Sequence, residues 1–258
     1  MPEGDTIHYA ANRIRAALAG HVPERVEAPQ PRHRLDRWPE RLAGRRVQAV
    51  EARGKHLLLR FDGGLNIHSH LRMKGAWDVR PQGRPWRRPR RRAWLVLACR
   101  GLEVVQFDGP VLELLTDERV RNDRRLGGLG PDVIGPRFDT AAFLARLRED
   151  DPTRPIGDAL LDQHTIAGIG NLWKAESCFA AELDPWRATG DVADEQVLAA
   201  VGFARREMAV SAEKGFAARP RAVYGRAGRP CPRCGADIRS RGQGENNRVT
   251  YWCAGCQR

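Results

Sequence analysis

The sequence predicts an α+β chain in two parts, a β-rich first half and a helical second half that ends in a small metal module. Three observations carry this expectation. Short apolar runs separated by turn residues fill the first half, apolar residues at helical spacing fill much of the second, and four cysteines form two C-x2-C pairs near the end. With 258 residues the chain is long enough to bury a sizeable core without disulfides and to form two domains.

Ile7, Ala11, Ile14 and Leu18 recur at helical spacing and Gly20 supplies a stop, so residues 5–19 read as an amphipathic helix, with Pro2 and Glu3 at its positive end. After a Pro- and Arg-rich connection, residues 46–52, 56–61 and 65–68 read as strands, with Asp62-Gly63-Gly64 as the turn joining the last two. A second pair, 94–99 and 102–107, flanks Arg100-Gly101. Between these groups lie residues 80–92, whose seven arginines and three prolines offer little to bury and predict a mobile, solvated loop compatible with phosphate contact. From Arg124 the run RRLGGLGPDV lacks periodicity and reads as a hinge. Beyond it Leu172, Ala175 and Phe179 share one helical face, and Val197, Val201, Ala204 and Met208 share another. The expected divisions are 2–123, a hinge at 124–136, a helical domain at 137–219 and a metal module at 220–258.

Forty-four Lys and Arg against 32 Asp and Glu give a net charge of +12, which suits a polyanion such as nucleic acid better than a neutral metabolite. No apolar stretch approaches the roughly 18 residues of a spanning helix, and the first residues do not resemble a signal peptide. The expectation is a soluble intracellular protein with no membrane partner.

Cys231, Cys234, Cys253 and Cys256 form C-x2-C-x18-C-x2-C. Each pair can place two thiolates on one metal, and the residues between the pairs can fold as a hairpin that closes a tetrahedral site. Four protein ligands leave no open position, so one structural Zn2+ is expected; a redox pair or disulfides are the alternatives. Arg248-Val249-Thr250-Tyr251-Trp252 leads into Cys253 and puts a cation and aromatic residues on a strand able to contact phosphate. Cys99 and Cys178 lie among apolar residues and read as small buried hydrophobes.

Gly168-Ile169-Gly170 precedes a helix beginning near Asn171. Backbone amides of such a turn form an anion seat, to which Asn171 adds a side-chain donor. A plain helix-helix turn with Asn171 as the cap remains the alternative. At the other end of the chain, removal of Met1 leaves the secondary amine of Pro2; a terminal amine titrates at about 7.7 to 8.0, so part of it is neutral and nucleophilic at pH 7.

MPEGDTIHYA, RGKHLLLRF, SHLRMKGAW, LGPDV, IAGIGN with LWKAES, and VYGRAGRPCPRCG followed by RVTYWCAGCQR occur in this order from residue 2 almost to 258. Together they resemble the formamidopyrimidine-DNA glycosylase and endonuclease VIII family. The resemblance implies an N-terminal β-sandwich with flanking helices and a C-terminal helix-two-turn-helix domain with a β-hairpin zinc finger. It also implies a base-excision repair enzyme, acting on damaged DNA as a monomer, which removes an oxidised base and then cleaves the abasic site by β- and δ-elimination.

On this resemblance Pro2 attacks C1′ and forms a Schiff base, Glu3 handles protons at the sugar, and Lys55 contacts phosphate and assists. His70, Gly170, Asn171 and Arg248 contact DNA. Leu71-Arg72-Met73-Lys74 resembles the loop that fills the void left by a flipped nucleotide, with Arg72 and Met73 as the inserted side chains; read without the resemblance, Met73 is a core residue after a strand. Thr6 stands where many members carry glutamate, VVQFDGPVLEL offers no clear arginine for a second void-filling loop, and the stretch between Met208 and Val223 is short for a loop capping an oxidised purine. These departures favour the endonuclease VIII branch and oxidised pyrimidines. A zinc-containing DNA-binding protein without catalysis, or an enzyme acting mainly as a lyase, are the rival readings.

Overall fold

A computed structural model describes residues 2–258. They fall into two compact units, one comprising Pro2 and residues 6–127, the other residues 3–5 and 128–258.

The first unit is a sandwich of two four-stranded antiparallel sheets. In chain order its elements are α1 (Gly4–Leu18, whose first two residues belong to the second unit), β1 (Arg25–Glu27), α2 (Pro31–Leu35), α3 (Trp38–Leu42), β2 (Val47–Arg53), β3 (His56–Phe61), β4 (Leu65–His70), β5 (Ala76–Pro81), β6 (Ala93–Cys99), β7 (Leu102–Phe107), β8 (Val111–Thr116), α4 (Asp117–Arg121) and α5 (Arg124–Gly127). One sheet runs β2-β3-β4-β8 and the other β1-β6-β7-β5. Leu57, Leu59 and Ile67 from the first meet Leu95, Leu97 and Val104 from the second, together with Ile7, Ile14 and Leu18 of α1. Because strand side chains alternate, burying Leu57 and Leu59 sends His56 and Arg60 to the opposite face. His56 sits opposite His70, and His68 opposite Glu113, so the outer face of this sheet carries a polar stripe.

The connection after α1 holds β1 and two five-residue helices, too short to show periodicity in sequence, and Trp38 and Leu42 of α3 enter the core. The expected strand at 65–68 continues to His70. Residues 80–92 also depart from a free loop: Arg80 and Pro81 complete β5, and the indole of Trp86 donates to Glu103 Oε2 at 2.8 Å. Trp86, with Arg88 and Arg92 both on Asp108, holds down a segment that composition alone marks as a free loop.

The second unit contains α6 (Thr140–Glu149), α7 (Ile156–Ala159), α8 (Asn171–Ala180), α9 (Asp194–Lys214) and the hairpin of β9 (Arg239–Gln243) with β10 (Arg248–Trp252). Asp139 caps α6 by accepting from the Ala142 amide at 2.9 Å. Phe143, Leu147, Ile156, Trp173, Val197 and Met208 are fully enclosed between these helices. Glu176 of α8 accepts the amides of Ala222, Val223 and Tyr224 at 2.8–3.0 Å, which ties the helix to the segment entering the cysteine module. Cys99 and Cys178 are buried, and burial pushes the Cys178 thiol up to about 12. Among the described residues no helix is long and apolar enough to cross a membrane.

Candidate active site and nucleic-acid interface

Residues 3–5 are held by the second unit. Glu3 is 2 % exposed; its Oε1 accepts the Leu172 amide at 2.9 Å and its Oε2 the Trp173 amide at 3.3 Å. These are first-turn N–H groups of α8, where the helix dipole is positive and no intrahelical acceptor exists. The glycine turn therefore does form an anion seat, as its composition suggests, but these two amides are taken by a carboxylate of the same chain rather than left for a phosphate. Gly170 makes the approach possible, since a Cβ there would lie 2.3–2.6 Å from three side-chain atoms of Glu3. The Gly4 amide donates to Gly168 O at 2.9 Å, completing the docking of the arm.

Asp5 anchors the same arm two residues on. It is fully buried, and Arg219 reaches it with Nε on Oδ2 and Nη2 on Oδ1, both at 2.7 Å, while Ser211 Oγ donates to Oδ2 at 2.5 Å. A planar guanidinium matched to a carboxylate in this way fixes orientation as well as charge. Pro2, half-buried, is one peptide bond from Glu3, so the two interactions restrict where its nitrogen can lie.

Asn171 is 7 % exposed and its amide Nδ2 donates to Val249 O at 2.7 Å, so in this structure it braces β10 beside Arg248. Lys174, one turn further along α8, is fully buried and donates to Thr250 Oγ1 and Gln243 Oε1, on both strands of the hairpin. Burial lowers its pKa to about 8. Two α8 side chains thus set the hairpin that presents the exposed Arg248. Sequence reasoning missed Lys174, Asp5 and Arg219, because no spacing rule distinguishes a buried cation or carboxylate from an exposed one.

In the cysteine module Cys231 Sγ lies 3.8 Å from Cys256 Sγ, and Cys234 Sγ 3.4 Å from Cys253 Sγ, with all four sulfurs within 4.8 Å of one another. A tetrahedral ion with sulfur bonds of about 2.3 Å requires sulfurs roughly 3.8 Å apart. The four thiols therefore fit a zinc-finger-type site.

In the first unit Lys55 lies half-buried in the turn between β2 and β3, where Gly54 adopts φ +55°. His70 Nδ1 accepts the Arg72 amide at 3.1 Å, and burial, with the nearby charges of Arg72 and Lys55, lowers its pKa to about 4. At neutral pH it is an uncharged imidazole whose Nε2 carries the proton, a donor suited to a phosphate oxygen. Beneath it runs a chain with defined tautomers. Glu113 Oε2 can only accept, so His68 Nδ1, 3.0 Å away, is protonated; His68 Nε2 then accepts from His56 Nδ1 at 2.8 Å. Burial, above all, lowers the pKa of both histidines, that of His56 to about 3. His68, Glu113 and Asp123 lie close enough to ligate a cation, but Arg125 donates to both carboxylates and fills that role. The alternation His68-Ser69-His70 on one strand was the signal available for this cluster. Leu71 is buried, whereas Arg72 adopts φ +48° and Met73 is 62 % exposed, so Met73 is a surface residue of a tight loop and not a core residue.

A two-sheet sandwich, a helical unit whose turn before α8 seats residues 3–5, and a four-cysteine hairpin define a two-unit α+β protein that ends in a metal-type module. Residues 1–110 match the family model described as the formamidopyrimidine-DNA glycosylase N-terminal domain, and residues 129–218 the one described as its H2TH domain. The chain is 41 % identical to a probable endonuclease 8 2 of Streptomyces coelicolor (100 % of this chain, 94 % of the relative). It is 38 % identical to the DNA-(apurinic or apyrimidinic site) lyase Nei2 of Mycolicibacterium smegmatis (100 % and 99 %). A formamidopyrimidine-DNA glycosylase of Thermus thermophilus is 32 % identical (100 % and 98 %). In structure it resembles Lactococcus lactis Fpg in complex with abasic-site DNA, with a TM-score of 0.83 at 23 % identity over the full length of both chains. The chain belongs to the formamidopyrimidine-DNA glycosylase and endonuclease VIII family, on its endonuclease VIII side.

Proposed function

We propose that this protein is a base-excision repair DNA glycosylase with abasic-site lyase activity, whose nucleophile is the amine of Pro2 after loss of Met1. The observation that carries the reading is Glu3: a carboxylate adjacent in sequence to that amine, buried and held by two amides of α8. A carboxylate fixed beside a nucleophilic amine can accept and return protons at the sugar, and an amine terminus needs no separate base to be partly neutral at pH 7.

Attack of the Pro2 nitrogen on C1′ breaks the glycosylic bond, and opening of the sugar ring gives an iminium. The iminium acidifies the C2′ proton; its loss expels the 3′ phosphate, and a second elimination expels the 5′ phosphate, leaving a one-nucleotide gap. Lys55, His70, Asn171, Gly170 and Arg248 are the proposed backbone contacts, with Arg72 and Met73 entering the void left by the everted nucleotide. For Asn171 this requires either its main-chain amide or release of its side chain from Val249. Flipping costs a few kcal/mol, which an exposed Met on a strained turn helps to recover. One structural Zn2+ on Cys231, Cys234, Cys253 and Cys256 would cross-link the module and takes no part in the chemistry. We favour oxidised pyrimidines as substrates, a monomer, and an intracellular site of action with the chromosome.

The test is borohydride trapping of the mature protein on duplexes bearing an oxidised pyrimidine, 8-oxoguanine or an abasic site, with peptide mapping of the adduct. A covalent link at Pro2 is expected, strongest with the pyrimidine lesion. An adduct on a lysine, or none while DNA binding persists, refutes the assignment; trapping confined to the abasic duplex indicates a lyase alone.

A further inference from the structure

Residues 82–91, between β5 and β6 of the first unit, form a strap whose cations are sorted into two sets. One set is used internally. Arg88 Nη1 donates to Asp108 Oδ2 at 2.5 Å and to Lys74 O at 2.8 Å, and Arg90 lies over the Trp86 ring at 4.3 Å. The other set, Arg84, Arg87 and Arg91, is exposed and makes no salt bridge among the described residues. Trp86 holds the strap down: its indole donates to Glu103, meets Phe107 edge-on at 5.7 Å, and packs against the buried group Ala93, Val96, Val105 and Phe107.

Holding several exposed guanidiniums without an acidic partner on one short backbone segment is unfavourable through mutual repulsion, which a free loop would relieve by spreading. The sequence instead pins them, a pattern that makes sense when a polyanion offsets the repulsion. Location narrows the choice. Lys74 O, which Arg88 holds, belongs to the loop Leu71-Arg72-Met73-Lys74, so the strap adjoins the residues assigned to the void in the helix. Composition narrows it further: none of the large exposed hydrophobic side chains lies on the strap, and without an apolar anchor the surface lacks what protein interfaces rely on, whereas phosphate contacts need only donors and charge.

We propose that the strap is a second phosphate-gripping surface, on which Arg84, Arg87 and Arg91 engage the duplex backbone flanking the lesion while Arg88 positions the inserted loop. The proposal rests on the DNA-repair reading above. Its experiment is the salt dependence of binding to an undamaged duplex and to one carrying a stable abasic analogue, comparing wild type with the triple variant Arg84→Ser, Arg87→Ser, Arg91→Ser and with the same three positions changed to Lys. Each phosphate contact contributes about 0.9 to the slope of log K against log salt, so the Ser variant should lower the slope by up to about 2.7 on both duplexes and the Lys variant should restore it. Single Ser variants, each lowering the slope by about 0.9, serve if the triple variant unfolds. An unchanged slope in the singles or the triple overturns the proposal, as does failure of Lys to restore it. Borohydride trapping of wild type in the same samples separates the two readings: no adduct at Pro2 defeats the catalytic assignment and leaves the slope comparison intact, while a normal adduct with unchanged slopes defeats only the strap.

Discussion

Glu3 and Leu172 stand 169 positions apart in the chain and are joined by a 2.9 Å hydrogen bond from the Leu172 amide to Glu3 Oε1. The start of the polypeptide thereby serves as the cap of α8, and the residue proposed to move protons is also the residue that seats the N-terminal arm. Glu3→Gln should keep an acceptor for one amide but set an NH2 against the other, costing about 1–2 kcal/mol of stability. Base excision in single-turnover assays should fall at least about 100-fold, the usual scale of a lost general acid or base. Retained excision with a normal melting temperature would show that Glu3 is a cap and nothing more.

Gly170→Ala tests the same contact from the other side. A Cβ at 2.3–2.6 Å from the Glu3 side chain forces the carboxylate off its two amides. The expected result is a loss of about 1–3 kcal/mol in thermal or urea unfolding, with trapping yield reduced in parallel. Full activity at wild-type stability would mean that the arm has another seat.

Asp5 and Arg219 form a buried pair, and removing either leaves a charge enclosed without its partner. Asp5→Ala should therefore cost about 3–5 kcal/mol, more than the double variant Asp5→Ala, Arg219→Met, in which neither charge remains. A double-mutant cycle by urea unfolding measures the coupling; additive effects would count against the pair as an anchor.

The histidine stripe predicts a specific acid sensitivity. His56 and His70 titrate near 3 and 4 in the folded protein, below the unfolded value of about 6.5. Their contribution to stability is complete above pH 6.5 and is lost as pH falls through that value toward 4 and then 3, because the unfolded chain binds protons that the folded chain refuses. Melting temperature should decline over this window, and His56→Leu should flatten the decline. An unchanged pH slope in that variant would exclude His56 as a source.

Chelation should release one Zn2+ per chain and unfold the region around β9 and β10 while leaving the sandwich intact, as read by hydrogen exchange. Cys253→Ser should do the same without chelator. Retained protection of the hairpin in metal-free protein would refute the metal's structural role.

Much of this was legible in the sequence because it is local or periodic. The short apolar run at residues 56–61 between turn residues marks β3; Asp62-Gly63-Gly64 marks the hairpin; the cysteine spacing points to a four-sulfur site; and the helical spacing of Ile7, Ile14 and Leu18 marks α1, whereas the three consecutive leucines 57–59, all buried, left the face of β3 to the tertiary structure. The five-residue helices α2 and α3 escaped, since a single turn has no period to read, and Trp86 outweighed the composition of the strap around it. What only the tertiary structure decided are the pairings between distant polar groups. An anion seat at the start of α8 follows from Gly168, Gly170 and the helix dipole, but that Glu3 occupies it depends on where the arm returns. Likewise Lys174 beneath the hairpin, Arg219 on Asp5, and the tautomers of His56 and His68 are set by burial, which strips most of the water from these groups and leaves the protein partners that the fold brings to them to satisfy them.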